Sequence, residues 1–371
     1  MFDWIRESEE WVDQASVNLY AGTNQQSPAV RRAMSSTLNA RPSLGPPGDK
    51  YETGLAFSDQ IETWVEQELC ALFEAHRVEY RVFSGSMANL YAYMATTKPG
   101  DAIYPMPENM AGHATHLQQG AAGLYGLKVH AIPCHPATHN IDWETWNDQI
   151  GVVQPKLIIL GTSLPLVPVE IERARDLART VNAYLMYDAA HVAMLVAQGR
   201  FQRPLAQGAD LMTMSTYKSF GGPAGGIIAT NREDLAQRLD GIAYPGLTAN
   251  FDMARVAGLG VAALELRTFG QEYADQCLKN AEHLTDQLLS RSLPVWLPDG
   301  KNDTKSHILA LKAERYGGGT TASRQAEISN VLFSGIPLPL ALICDRLQWT
   351  SPGRTRINTD RNARKSHGTD C

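Results

Sequence analysis

The sequence is poor in the features that announce several common classes of protein. Cysteine is sparse: five residues (Cys70, Cys134, Cys277, Cys344 and Cys371), odd in number and nowhere spaced as CxxC. That argues against a disulfide framework or a structural zinc site and fits a reduced, cytoplasmic protein. No run approaches the roughly 18–20 apolar residues of a membrane span. The N-terminus, MFDWIRESEEWVDQ, is acidic and lacks the apolar stretch of a signal peptide. Net charge is -6, and no long basic run precedes the C-terminus. Neither nucleic acid nor a membrane is therefore expected as a partner. Internal repeats and low-complexity linkers are also missing. No G-x-G-x-x-G opens a helix after the first strand, which removes the nicotinamide-binding Rossmann reading.

What is present is a chain of 371 residues, 44% hydrophobic and 19% charged, enough for one large core and a smaller companion. From Phe57, apolar residues at Ile61, Trp64, Val65, Leu69, Leu72 and Phe73 follow helical spacing and mark one buried stripe. Strand-like runs then recur at Tyr80–Phe83, Ala102–Tyr104, Lys128–Ile132, Leu157–Leu160, Tyr184–Tyr187, Asp210–Ser215 and Gly226–Ala229. Helical segments lie between them, including Met87–Thr96 and Ile171–Val181. Several strands are apolar throughout, as strands covered on both faces must be. The alternation predicts an α/β fold: a mainly parallel seven-stranded sheet flanked by helices. A long helix follows from Met253 through Arg267 toward Ser290. A small α/β unit comes next, with strands near Pro294–Trp296 and His307–Leu311.

Four separated features bear on chemistry. Ser84-Gly85-Ser86 follows the first strand and opens a helix, so it offers free N–H groups and a positive dipole end to a phosphate, although an ordinary N-cap turn has the same sequence. His113, after the second strand, could stack on a ring or cap a turn. Asp188 ends an apolar strand, where ligands of open α/β sheets bind, and could equally cap the next helix. His191 follows three residues on. Lys218, in Ser215-Thr216-Tyr217-Lys218-Ser219 before a glycine-rich bend, is either a surface lysine or an amine whose pKa burial would lower. Taken together and in this order, they suit pyridoxal 5'-phosphate (PLP): a phosphate turn, a stacking imidazole, a carboxylate for the pyridinium nitrogen and a lysine for the aldehyde.

Over roughly residues 15–335 the chain resembles serine hydroxymethyltransferases. The segments that carry the resemblance are FSGSMANLYAY, PGDAIYPMPENMAGHATH, YLMYDAAHVAMLVAQG, LMTMSTYKSFGGPAGG and AYPGLTANFDM. The resemblance implies a large PLP domain (21–270) after an N-terminal helical segment (1–20). It also implies a partial small domain (271–352), and a homodimer with shared active sites acting on a small amino-acid substrate. Lys218 would be the Schiff-base lysine, Asp188 the partner of the pyridinium and His113 the stacking ring. Ser84, Gly85, Ser86 and Ser215 would hold the phosphate, with Gly246 contributed by the neighbouring subunit. Ser163 and His191 would lie near the ring hydroxyl.

The departures from that pattern are local. The family's A-S-E-N-Y-T-S-P reads Ala21-Gly22-Thr23-Asn24-Gln25-Gln26-Ser27-Pro28, and its K-Y-A-E-G-Y-P-G reads Arg41-Pro42-Ser43-Leu44-Gly45-Pro46-Pro47-Gly48. The family's proton-transferring glutamate thus falls on Leu44, which can neither donate nor accept a proton, and such help is worth roughly 10²–10⁴ in rate. Tyr51 is the candidate replacement acid or base. Tyr217 and Ala224 replace a histidine and an arginine. Tetrahydrofolate is therefore not expected, and the reading is PLP-dependent cleavage or transfer at Cα–Cβ of a β-hydroxy amino acid. A true hydroxymethyltransferase and a PLP binder without turnover remain the alternatives. Beyond Pro352 the sequence GRTRINTDRNARKSHGTDC has one sizeable apolar residue, Ile357, and echoes the family's carboxylate-gripping segment only at Arg356. The tail 353–371 is expected to be disordered. A frame shift near Leu340–Asp345 would account for it.

Overall fold

The computed structural model describes residues 1–336 apart from 136, 137, 139, 299 and 301–304. Arg356, the tail and the Leu340–Asp345 segment lie outside the described residues. The main sheet has seven strands: β1 (Arg77–Val82), β2 (Ala102–Pro105), β3 (Lys128–Val129), β4 (Leu157–Leu160), β5 (Tyr184–Asp188), β6 (Leu211–Ser215) and β7 (Gly226–Thr230). Their spatial order is β1-β7-β6-β5-β4-β2-β3, and only β7 runs antiparallel to its neighbours. The mainly parallel seven-stranded sheet expected from the pattern is thus what the chain forms.

The reason is visible in β4, whose LIIL side chains are all fully buried. Leu157 and Ile159 pack into the layer containing Ala88, Tyr91 and Ala92 of helix α2 (Gly85–Thr96), while Ile158 and Leu160 face the opposite layer. Each such side chain contributes about 1.5–3 kcal/mol by leaving water. The opposite layer holds α1 (Ala56–Phe73), α3 (Ile171–Thr180) and the N-terminal half of α4 (Met253–Ser290). Helix α4 approaches its neighbours closely at two glycines. A Cβ on Gly258 would lie 2.8 Å from Met34 Cγ, and one on Gly260 would lie 2.5 Å from Val65 Cγ2.

The periphery differs from expectation. The strand foreseen at Lys128–Ile132 is regular over Lys128–Val129, and its hydrogen bonding to β2 continues from His130 N–H to Ile103 O and from Ile132 N–H to Pro105 O, both 2.9 Å. The strands foreseen near Pro294–Trp296 and His307–Leu311 meet in one isolated antiparallel bridge, Val295 to Leu311. Pro294 has no N–H to extend that pairing. The N-terminal segment adds a two-residue strand, Val17–Asn18, which pairs in parallel with Val331–Leu332.

Candidate active site

Strand order decides which side chains meet. The carboxyl ends of β1, β2, β4, β5 and β6 open on one edge of the sheet, and the candidate residues follow those ends. Ser84 caps α2, its Oγ accepting from Met87 N–H at 3.1 Å. This leaves the Gly85 and Ser86 N–H groups, which have no partner inside a helix, at the positive end of the helix. Gly85 is pressed against β6: a Cβ there would stand 2.3 Å from Ser215 Oγ. The Ser215 hydroxyl and the α2 N-terminus therefore share one concavity.

Lys218 is buried, and its Nζ lies 3.0 Å from His191 Nε2. The turn behind it is fixed by Gly222 N–H to Thr216 O (2.7 Å), Gly221 N–H to Lys218 O (3.0 Å) and Thr216 Oγ1 to Pro223 O (2.6 Å). Gly221 has φ +75°, a left-handed conformation that favours glycine. Burial pulls the lysine below its ordinary pKa, and the Asp188 anion only partly offsets that. For His191, burial and then the Lys218 charge bring the imidazole down to about 3. It is neutral at pH 7, and its enclosed Nδ1 has no hydrogen-bond partner among the described residues.

Asp188 ends β5. Its Oδ1 accepts from Ala190 N–H at 2.9 Å, and its Oδ2 accepts from Asn89 Nδ2 at 3.1 Å and contacts His116 Nε2 at 2.9 Å. Burial alone would raise this carboxyl. The His116 hydrogen bond and charge outweigh burial and hold it well below the usual carboxylate range. The support continues outward, since His116 Nδ1 lies 2.5 Å from Tyr93 OH, and Asn89 Oδ1 accepts from Thr213 Oγ1 at 2.7 Å. His113 is anchored through Nδ1 to Thr115 Oγ1 (2.8 Å), with its ring 6.3 Å from that of His116. Burial lowers its pKa, with Asp188 opposing. Ser163 N–H bonds to Ala111 O at 2.8 Å, tying the loop after β4 to the one that carries His113.

Two expected residues stand apart from this cluster within one chain. Tyr51 is 83% exposed on the loop that holds Leu44, where its N–H bonds to Leu44 O. Gly246 lies in the irregular helical segment Ile242–Leu247. Conversely, sequence reasoning passed over His116, Asn89, Tyr93 and His307. Only His116 left a signal, three residues after His113 in Gly112-His113-Ala114-Thr115-His116.

The residues fit PLP on three observations of this structure. Gly85 lies so close to Ser215 that only glycine leaves its hydroxyl in place, the His191 Nδ1 is enclosed without a partner among the described residues, and the Asp188 carboxylate lies within electrostatic reach of the buried Lys218 amine. Such a set on the carboxyl edge of a mainly parallel sheet defines a PLP-dependent enzyme. Comparison with known proteins narrows the class. The serine hydroxymethyltransferase family profile matches residues 1–330. An alpha-methylserine aldolase of Ralstonia sp is 41% identical over 323 residues, covering 87% of this chain and 74% of that protein. One of Variovorax paradoxus is 43% identical over 337 residues, 91% of this chain and 76% of that protein. A serine hydroxymethyltransferase of Methanosphaera stadtmanae is 36% identical over 324 residues, 87% of this chain and 76% of that protein. The chain belongs to the serine hydroxymethyltransferase family.

Proposed function

We propose that this chain cleaves the Cα–Cβ bond of β-hydroxy amino acids, α-methylated serine among them, as a PLP-dependent aldolase that needs no folate. The observation that carries the reading is Lys218 Nζ held 3.0 Å from a neutral His191 and within electrostatic reach of the Asp188 carboxylate. When bound, PLP supplies the electron sink for the pair released as that bond breaks.

The chain's own residues do the rest. Lys218, whose pKa burial lowers, would supply the amine for the cofactor aldehyde. Asp188, kept anionic by His116 and Asn89, holds a proton on the ring nitrogen. His113 would cover the ring, His191 and Ser163 would meet its hydroxyl, and Ser84, Gly85, Ser86 and Ser215 would hold the phosphate. Leu44 keeps its backbone engaged with Glu52 and Tyr51 and brings no proton-transfer group. Folate-dependent transfer is therefore left out of the reading. The similarity to alpha-methylserine aldolases at 41–43% identity, against 36% for hydroxymethyltransferases, points the same way.

The reading includes a homodimer in which Gly246 and the exposed Tyr51 serve the second copy's site. It also includes Arg356 as the carboxylate anchor and a division of the chain near residue 270. The test is the visible spectrum of the PLP-loaded protein beside Lys218→Ala, with formaldehyde release from α-methylserine measured with and without tetrahydrofolate. A Lys218-dependent band and folate-independent release are expected. No such band, or release only with folate, refutes the proposal.

A further inference from the structure

His307 has no part in the roles assigned above, yet the fold delivers it to the same pocket. It follows Ser306, whose fully buried Oγ accepts from Ile308 N–H at 3.1 Å and fixes the local backbone. Ile308 packs in one apolar cluster with Ala111 and Leu164, the neighbours of Gly112-His113 and of Ser163. His307 is therefore set down over the two loops that frame the site from β2 and β4. Its Nδ1 is enclosed and has no hydrogen-bond partner among the described residues, as is true of His191 Nδ1. A buried ring nitrogen left without a partner costs about 1–3 kcal/mol, and native structures keep few such groups without a reason. Two of them within reach of each other are explained by bound groups that pair with them.

We propose that His307 is a substrate-contacting residue whose Nδ1 hydrogen-bonds the β-oxygen of the bound amino acid. This rests on the cofactor reading above and deepens it by naming what recognises the hydroxyl. Charge selects the partner. Burial brings His307 down to about 4, so the ring is neutral at pH 7 and suits an uncharged hydroxyl better than a carboxylate or phosphate. The phosphate already has the Gly85–Ser215 concavity. The ring also lies close enough to His191, the neighbour of Lys218 Nζ, for a charge on one to disfavour a charge on the other.

The test compares L-serine with L-alanine, which differ only in the β-oxygen, by spectral titration of the PLP-loaded full chain. His307→Ala should weaken serine about tenfold, the size of one neutral hydrogen bond, and leave alanine within about twofold. His307→Asn, whose amide reaches the Nδ1 position, should restore the serine preference, whereas His307→Gln, reaching the Nε2 position, should not. The Asn–Gln comparison carries the test if the alanine variant fails to fold. Equal losses for both amino acids, no loss for either, or equal behaviour of Asn and Gln overturns the assignment. A wild-type protein without a Lys218-dependent band overturns the cofactor reading, and this assignment with it.

Discussion

Replacing Gly85 by alanine places a methyl carbon 2.3 Å from Ser215 Oγ, where a carbon–oxygen contact settles near about 3.3 Å. The same methyl would stand 3.4 Å from Ser215 Cβ and 3.5 Å from its Cα, both ordinary contacts. Relief therefore needs no backbone movement, only rotation of Ser215 χ1 into another staggered well. Alanine in the first turn of α2 also recovers about 0.5–1 kcal/mol that glycine forfeits. Stability should change little, and the melting temperature should stay within a few degrees. The rotated hydroxyl, however, no longer faces the concavity. Losing one hydrogen bond to a charged phosphate costs about 1.5–3 kcal/mol, a drop in PLP affinity of roughly 10- to 150-fold. Equilibrium dialysis against PLP, with calorimetric melting alongside, separates the two effects. Ser215→Ala should lose a similar amount, and Gly85→Ala added to it should lose almost nothing more, since both act through one hydroxyl. Full additivity of the two losses, or unchanged affinity in the single variant, would refute the placement of Ser215 in the phosphate cradle.

Further outcomes follow from the same structure. Tyr93→Phe strips His116 Nδ1 of its 2.5 Å contact in a fully buried setting and should cost about 1–3 kcal/mol in urea unfolding. Lys50→Met leaves Glu62, 0% exposed and 2.6 Å from the lysine, without its counter-charge and should cost about 3–5 kcal/mol by the same assay. His191 and His307 have folded pKa values near 3 and 4, below the ordinary 6.5. The unfolded chain therefore takes up more protons, so their contribution is complete above pH 6.5 and is lost as pH falls toward 4. Melting temperature should decline over that window, and more shallowly in His307→Asn.

The central sheet was readable because its strands are buried on both faces, so composition alone delimits them. LIIL at Leu157–Leu160 coincides with β4, whereas the edge segment Lys128–Ile132, which includes Lys128 and His130, is regular only at β3 and keeps single hydrogen bonds to β2 beyond it. Ser84, Asp188 and Lys218 were readable because each sits at a strand end, where local sequence sets position. Asn89 and Tyr93 were not. They look like ordinary residues of α2, and their roles come from Thr213, Asp188 and His116, which strand order alone brings near. His307 was hidden for the same reason, since its pocket is assembled from β2, β4 and β5 far back in the chain.

Helix α4 runs 38 residues without a break, about 57 Å at 1.5 Å per residue. It is clamped near one end, where Gly258 and Gly260 let Met34, Val65 and Trp64 close on its backbone. Farther along it is held again, where Gly270 lies against Gln198 and Arg200 pairs with Asp275 at 2.5 Å, about four turns beyond Gly260. The segment bearing His307 is strung from the helix's far end. A bulky residue at Gly260 therefore meets Val65 and Trp64 on a beam held along much of its length, and α1 is the part that must give.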